Sequence, residues 1–137
     1  DFDAETILKG RDAVLNRLKE LNEAGNSISA KEDNQKTILE VAKEMYARGY
    51  SFLPPKLGDS DATKFRIKDG KVLLPFVAIA GCGESAAKGL VREYDIRPYL
   101  TIEEAQKRGG LNKSVVEVLK QYGVFEGMTE TDQITMF

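Results

Sequence analysis

The chain has 137 residues, 42% hydrophobic and 31% charged, with 20 basic against 22 acidic side chains and a formal net charge of -2. This is the composition of an ordinary globular protein, so disordered and fibrous classes are excluded. The charge balance offers no bulk attraction for a polyanion, and any contact with nucleic acid must come from a local patch or from backbone amides. One cysteine, Cys82, and no histidine exclude an internal disulfide, remove the usual zinc ligands and imidazole bases, and fit a reducing, cytoplasmic setting.

In chain order, Ile7, Leu8, Val14, Leu15, Leu18 and Leu21 fall on one stripe, which predicts an amphipathic helix from Ala4 to Ala24, capped by Asp3 and ended at Gly25-Asn26. Ser29 and Glu32 have capping-box spacing, and Ile38, Leu39, Val41, Ala42, Met45 and Tyr46 give a second apolar face up to Gly49. The short link between the two predicts an antiparallel helical pair. Tyr50 to Leu53 is strand-like until Pro54-Pro55 breaks it. Thr63 to Ile67, the Asp69-Gly70 turn signal and Val72 to Leu74 describe a β-hairpin. After Pro75 the pattern is helical again, over about Phe76 to Ala80, Glu84 to Glu93, Ile102 to Arg108 and Lys113 to Tyr122. Thr101 and Glu104 repeat the capping-box spacing. Beyond Gly127 the residues are too few and too polar to pack, and a mobile tail is expected. No apolar run approaches the ~20 residues that cross a bilayer, and no basic-then-apolar pattern opens the chain. Membrane contact is not expected. The chain begins at Asp1, without Met and inside a helix lead-in, so we expect a piece cut from a longer protein.

The stretch IAGCGESAAKGLV, Ile79 to Val91, carries the chemistry. Gly81 and Gly83 allow a sharp bend and the close approach of another backbone. With a helix starting near Glu84, unpaired amides from Cys82 to Ala86 would face outward at the positive end of the helix dipole, where an anion is favoured. Ile79, Ala87 and Leu90 supply the apolar and small residues that hold the bend closed. Lys88, Arg92, Lys107, Arg108, Lys113 and Lys120 surround it, interspersed with Glu93, Asp95, Glu103, Glu104 and Glu117, so a tight turn whose glycines merely permit packing stays open as a second reading.

This arrangement resembles the helix-hairpin-helix motif, which grips DNA phosphates without reading sequence. Cys82 stands where that motif usually has a larger aliphatic, and Ser85 at a place often basic. The closing residues Gln133-Ile134-Thr135-Met136-Phe137 resemble the pentapeptide with which bacterial replication proteins dock on the sliding clamp. Gln133 would meet a polar rim, and Ile134, Met136 and Phe137 an apolar pocket.

With both motifs the whole chain resembles the C-terminal segment of the PolC-type DNA polymerase III α subunit. The resemblance runs through KEMYARGYSFLPP, DSDATKFRI, LLPFVAIAGCGESAAKGLV and LNKSVVEVLKQYGVFEGM to the terminal pentapeptide. It implies an α+β, mostly helical fold in three parts. Residues 1–74 form a helical pair and β-hairpin at the rear of the fingers, 75–127 a tandem helix-hairpin-helix domain on duplex DNA, and 128–137 a flexible tail with the clamp motif. Leu111-Asn112-Lys113 opens its second hairpin unit. The implied partners are duplex DNA, bound without sequence preference, the sliding clamp and the rest of the polymerase chain. The phosphate-binding residues would be Gly81, Cys82, Gly83, Ser85, Lys88 and Lys113.

The parent enzyme would be a DNA-directed DNA polymerase with Mg2+ held by palm carboxylates upstream, leaving this segment without catalytic residues or a cofactor. Asp1 and Asp3 are read as helix-start acids rather than metal ligands. Cys82 is read as a packing residue, and Tyr50, Phe52 and Phe65 as core. The rival reading is a protein-interaction module whose bend is purely structural and binds no DNA.

Overall fold

The computed structural model describes residues 2–131. Among these residues six α-helices and a small three-stranded sheet make an α+β, mostly helical fold.

The expected first helix is two. α1 (Ala4–Lys9) and α2 (Arg11–Ala24) are separated by Gly10, whose φ of 118° and ψ of 178° lie far outside the helical region. Glycine is the residue that can take this conformation without strain. The break lets α1 turn onto the sheet, where Tyr46 donates its hydroxyl to the carbonyl of Ile7 at 2.7 Å. Asp3 caps α1 through Thr6, accepting from the hydroxyl at 2.7 Å and from the amide at 3.4 Å. α3 (Ala30–Ala47) starts on the expected capping box. Glu32 N donates to the Ser29 hydroxyl at 3.1 Å, and Ser29 N to the Glu32 carboxylate at 3.1 Å. α2 and α3 then pack their apolar faces together, burying Val14, Leu18, Leu21, Leu39 and Ala42.

The hairpin is present as β2 (Arg66–Lys68) and β3 (Lys71–Leu73), antiparallel and in the register Ile67 opposite Val72. Its turn has positive φ at both Asp69 (53°) and Gly70 (75°), the backbone that a tight two-residue hairpin requires. β1 (Ser51–Leu53) adds to it in parallel, Phe52 beside Val72, so β3 is the central strand of a sheet ordered β1-β3-β2. The loop between β1 and β2 is held by Asp61. Its carboxylate accepts from the amides of Thr63 and Lys64, each at 3.0 Å, and pairs with Arg66 at 3.2 Å. The Thr63 amide first, and then these other partners, keep its carboxyl below the usual range.

The buried side chains form two clusters. One holds Ile7, Val14, Leu18, Leu21, Leu39, Phe52, Val72 and Leu74, and the other Phe76, Ile79, Leu90, Tyr99, Ala105, Val115, Leu119 and Phe125. They interlock where the chain crosses between them. Ala62 joins the second cluster and Ala78 the first, and the amides of Phe76 and Val77 donate to the carbonyls of Asp61 and Ala62. Phe52 lies between Tyr46 and Phe65, with ring centroids 5.0 and 5.8 Å away, so these aromatics belong to the core.

A 3-10 turn (Phe76–Ala78) leads to α4 (Glu84–Ile96), α5 (Ile102–Gly109) and α6 (Lys113–Gln121). At α5 the expected capping box is shifted by one residue. Thr101 accepts from Glu104 N at 3.0 Å, but the Glu104 carboxylate takes the amide of Leu100, at 2.8 Å, in place of that of Thr101. The tail also departs from expectation. Residues 129–130 lie along the start of α5, where the amides of Ile102 and Glu103 donate to the carbonyls of Thr129 and Glu130, each at 2.9 Å. Two otherwise orphan helix donors are satisfied this way, and Glu130 also pairs with Lys120 at 2.8 Å. The pentapeptide Gln133 to Phe137 lies outside the described residues. Among the described residues, no helix is long and apolar enough to cross a membrane.

Candidate nucleic-acid interface

The first bend is anchored on both sides by buried residues, Ile79 and Cys82 before it and Ala87 and Leu90 after it. Between them the backbone is exposed. Gly81 has a φ of 82°, in the left-handed region, and Gly83 an ordinary extended backbone (φ −71°, ψ 169°) at the N-cap of α4. The Gly83 carbonyl accepts the amide of Ala87 at 2.9 Å. A glycine brings no side chain to accept the remaining first-turn donors. Among the described residues, the amides of Gly83, Glu84, Ser85 and Ala86 have no hydrogen-bond partner. A Cβ placed on Gly83 would meet nothing within 4 Å, so the space in front of these donors is open. Unpartnered amides at a helix start favour an oxyanion electrostatically.

One expected member drops out. The amide of Cys82 donates to the carbonyl of Ile79 at 3.0 Å, and its buried thiol is pushed up in pKa by desolvation. Cys82 therefore packs the bend and offers no donor. The run of free amides begins at Gly83.

The second bend repeats the conformations of the first. Gly110 is left-handed (φ 66°, ψ 33°), Leu111 is buried with its amide bonded to the carbonyl of Gln106 at 3.0 Å, and Asn112 is the extended N-cap of α6. Gly110-Leu111-Asn112 thus corresponds to Gly81-Cys82-Gly83. The difference lies at the cap, where the Asn112 side chain accepts the amide of Val115 at 2.9 Å. That donor is consumed internally, which leaves the second bend the poorer anion site. Gly110 was the residue missed in the sequence. A glycine followed by a buried aliphatic and a capping side chain was the signal available.

The first bend packs beside α6, since a Cβ on Gly81 would lie 3.6 Å from Val115 Cγ2. Gly89 lies where α4 meets α5, and a Cβ placed on it would stand in ordinary contact, 3.5 Å from the Gly109 carbonyl oxygen.

The basic residues divide by what they touch. Arg108 of α5 pairs with Glu104 at 2.8 Å and with Glu93 of α4 at 3.7 Å, and lies 4.9 Å from the centre of the Tyr99 ring, so it braces α4 against α5. Lys120 is engaged by Glu117 and Glu130, Lys107 by Glu103 and Arg92 by Glu93. Lys88 pairs with Glu84 at 2.8 Å, chiefly through a hydrogen bond that lowers the carboxyl pKa of Glu84. Both side chains are exposed and solvent screens the pair, so Lys88 can turn to a ligand at little cost. Ser85 and Lys113 are exposed beside the two helix starts, and Lys113 has no ion-pair partner among the described residues. Asp3 spends its carboxylate on capping, and no group of three or more acidic or cysteine side chains is placed to hold a metal ion among the described residues.

A repeated bend of left-handed glycine, buried apolar residue and extended cap, once between a 3-10 turn and α4 and once between α5 and α6, defines a helix-hairpin-helix protein. The sequence profile of the helix-hairpin-helix motif family matches residues 49–134, and the chain belongs to that family. Over its whole length the chain is also similar to PolC-type DNA polymerase III. It is 41% identical over 137 residues to that protein of Clostridium perfringens. Identity is 39% over 136 residues to that of Thermotoga maritima and 37% over 137 to that of Bacillus subtilis. Essentially all of this chain is covered in each case, against 10% of the relative, so the chain spans about a tenth of the length of these polymerases.

Proposed function

We propose that this chain is the part of a PolC-type replicative DNA polymerase that holds the backbone of duplex DNA, independent of sequence, and tethers the enzyme to the sliding clamp. The observation that carries the first role is the exposed run of unpartnered amides from Gly83 to Ala86 at the start of α4. Lys88 and Ser85 stand beside them as further phosphate ligands, and Lys113 serves the second bend. The chain itself performs no chemistry. Nucleotidyl transfer, with its Mg2+, belongs to the remainder of the parent enzyme.

The clamp role rests on Gln133, Ile134, Met136 and Phe137. Burying each apolar side chain contributes roughly 1.5–3 kcal/mol before the cost of ordering the segment, so the tether is weak alone. Simultaneous DNA contact raises its effective concentration.

The test is titration of the chain with short labelled duplexes of unrelated sequence over a range of salt. Affinity should be equal across sequences and fall with salt at a slope of about 0.9 per phosphate engaged. The variant Gly83→Asp places a carboxylate where a ligand phosphate would sit. It suits the N-cap and should stabilise α4 by a few tenths of a kcal/mol while removing duplex binding. Duplex affinity unchanged in G83D would refute the bend as the site. Deleting Gln133 to Phe137 should abolish clamp association and leave the fold intact. A chain that binds clamp but no duplex at low salt is instead an interaction module with a structural turn.

A further inference from the structure

Ile96 and Leu100 are the most exposed large apolar side chains among the described residues, at 72% and 76%. Ile96 closes α4 and Leu100 lies in the connection to α5, while Tyr99 between them is buried in the core. The connection is fixed from its polar side. The Leu100 amide donates to the Glu104 carboxylate at 2.8 Å and Arg97 pairs with the same group at 3.2 Å, so the Leu100 backbone is held while its side chain stands in water. Ile96 also lines a shallow groove of about 480 Å³ with Ala62 and Val91, which continues the apolar surface along α4. Apolar surface held out to solvent on a fixed element marks a contact with another protein.

The end of the described chain brings a partner to this place. Thr129 bridges Thr101, the residue after Leu100, and the carbonyls of Thr129 and Glu130 accept the amides of Ile102 and Glu103, each at 2.9 Å. The Thr129 hydroxyl then donates to the Thr131 carbonyl at 3.3 Å. Thr131 is two positions before Gln133, a step of at most about 7 Å. Whatever holds Gln133 to Phe137 is therefore drawn to the start of α5, where the α4–α5 connection presents Leu100.

We propose that Ile96 and Leu100 form a second contact with the sliding clamp, which seats on them when it takes the terminal pentapeptide. This rests on the reading of Gln133 to Phe137 as the clamp motif and deepens it, because a leash pinned at residues 129–131 orients the clamp on the polymerase as well as retaining it. Once the pentapeptide is bound, a contact too weak to form alone acts at high effective concentration. Duplex DNA is a poor occupant of this surface, since hydrocarbon side chains offer a phosphate backbone neither charge nor a donor.

The experiment measures affinity for a purified bacterial sliding clamp in the full chain, in the double variant Ile96→Ser with Leu100→Ser, in a control, Ile67→Ser, and in a chain lacking Gln133 to Phe137. Ile67 is also an exposed large apolar residue but belongs to β2. I96S/L100S should weaken clamp binding roughly tenfold with an unchanged melting temperature, and I67S should bind as the parent does. A spacer of about ten glycine and serine residues inserted after Thr131 should weaken the parent chain and have little further effect in I96S/L100S. Parent-like binding by I96S/L100S, with binding lost in the deletion, overturns the second contact and leaves the pentapeptide reading intact. An equal loss in I67S, or an equal loss from the spacer in both backgrounds, overturns it too. Self-association of the parent that is absent in I96S/L100S, with clamp affinity the same in both, reassigns the surface to a second copy of the chain. Undiminished binding by the deletion refutes the underlying reading of the pentapeptide instead.

Discussion

The Cβ position of Gly81 lies 3.6 Å from Val115 Cγ2, so the left-handed residue of the first bend rests on the helix that follows the second. The first bend thus packs against the second unit. Gly81→Ala should cost about 1–2 kcal/mol, because an L side chain is strained at a φ of 82°. Gly83→Ala has an ordinary φ and open space around it, and should change stability by less than about 0.5 kcal/mol. Chemical denaturation of the two variants side by side tests the contrast. Equal losses would contradict it.

Gly109 fails for a different reason. Its backbone is helical, but a Cβ there would stand 3.0 Å from Leu90 Cδ1 and 3.4 Å from the Tyr99 hydroxyl, and Leu90 is fully buried. Gly109→Ala gains helix propensity yet overpacks the α4–α5 contact, with an expected net loss of about 1–2 kcal/mol. A lower melting temperature for G109A is the readout, and a rise would show that the contact can relax.

The Tyr99 hydroxyl donates to the carbonyl of Leu90 at 2.7 Å, and desolvation pushes its pKa up to about 12. Tyr99→Phe removes the buried donor and should cost about 1 kcal/mol. The phenol, neutral through the physiological range, should resist ionisation until strongly alkaline pH. Ultraviolet titration, with Tyr99 identified by its absence in Y99F, measures this directly.

Glu104 gives the chain an acid-sensitive joint. The Leu100 amide first, and then Arg108 and Arg97, hold its carboxyl below the ordinary value of 4.5. A carboxyl depressed on folding stabilises the folded state fully above the unfolded value, and that contribution disappears as pH falls through the folded one. The melting-temperature difference between the parent chain and Glu104→Gln should therefore be constant above about pH 5 and shrink below it. A difference that persisted undiminished into strong acid would exclude this role.

The carbonyls of Thr129 and Glu130 cap the start of α5. First-turn amides usually exchange quickly, since nothing within the helix accepts them. Here those of Ile102 and Glu103 should be protected in hydrogen exchange. A chain stopped after Gly127 should lose that protection and about 1–2 kcal/mol relative to one stopped after Thr131. Unprotected amides in the full chain would refute the docking of this segment.

Much of the local structure was legible because it is set by residues within one turn of each other. The Ser29–Glu32 box, the Asp69-Gly70 turn and the bend at Gly81 to Gly83 all follow from side-chain chemistry and allowed φ values at fixed spacing. Gly10 shows the limit of a periodicity argument. The apolar stripe runs through it unbroken, yet the helix divides there, and the Ile7 carbonyl accepts the hydroxyl of Tyr46, far along the chain. Cys82 shows the same limit at the site, since its place in the motif says nothing of whether its amide is free.

The residues alone therefore determined most of the elements and caps and the position of the glycine bend before α4. Tertiary structure decided that β1 joins the hairpin as a parallel edge, that residues 129–130 lie along α5, and that α3 lines one wall of a cleft beside the bend. These pairings join segments tens of positions apart. They depend on which apolar faces and backbone groups remain unsatisfied once the local elements exist, and no short window of sequence contains that information.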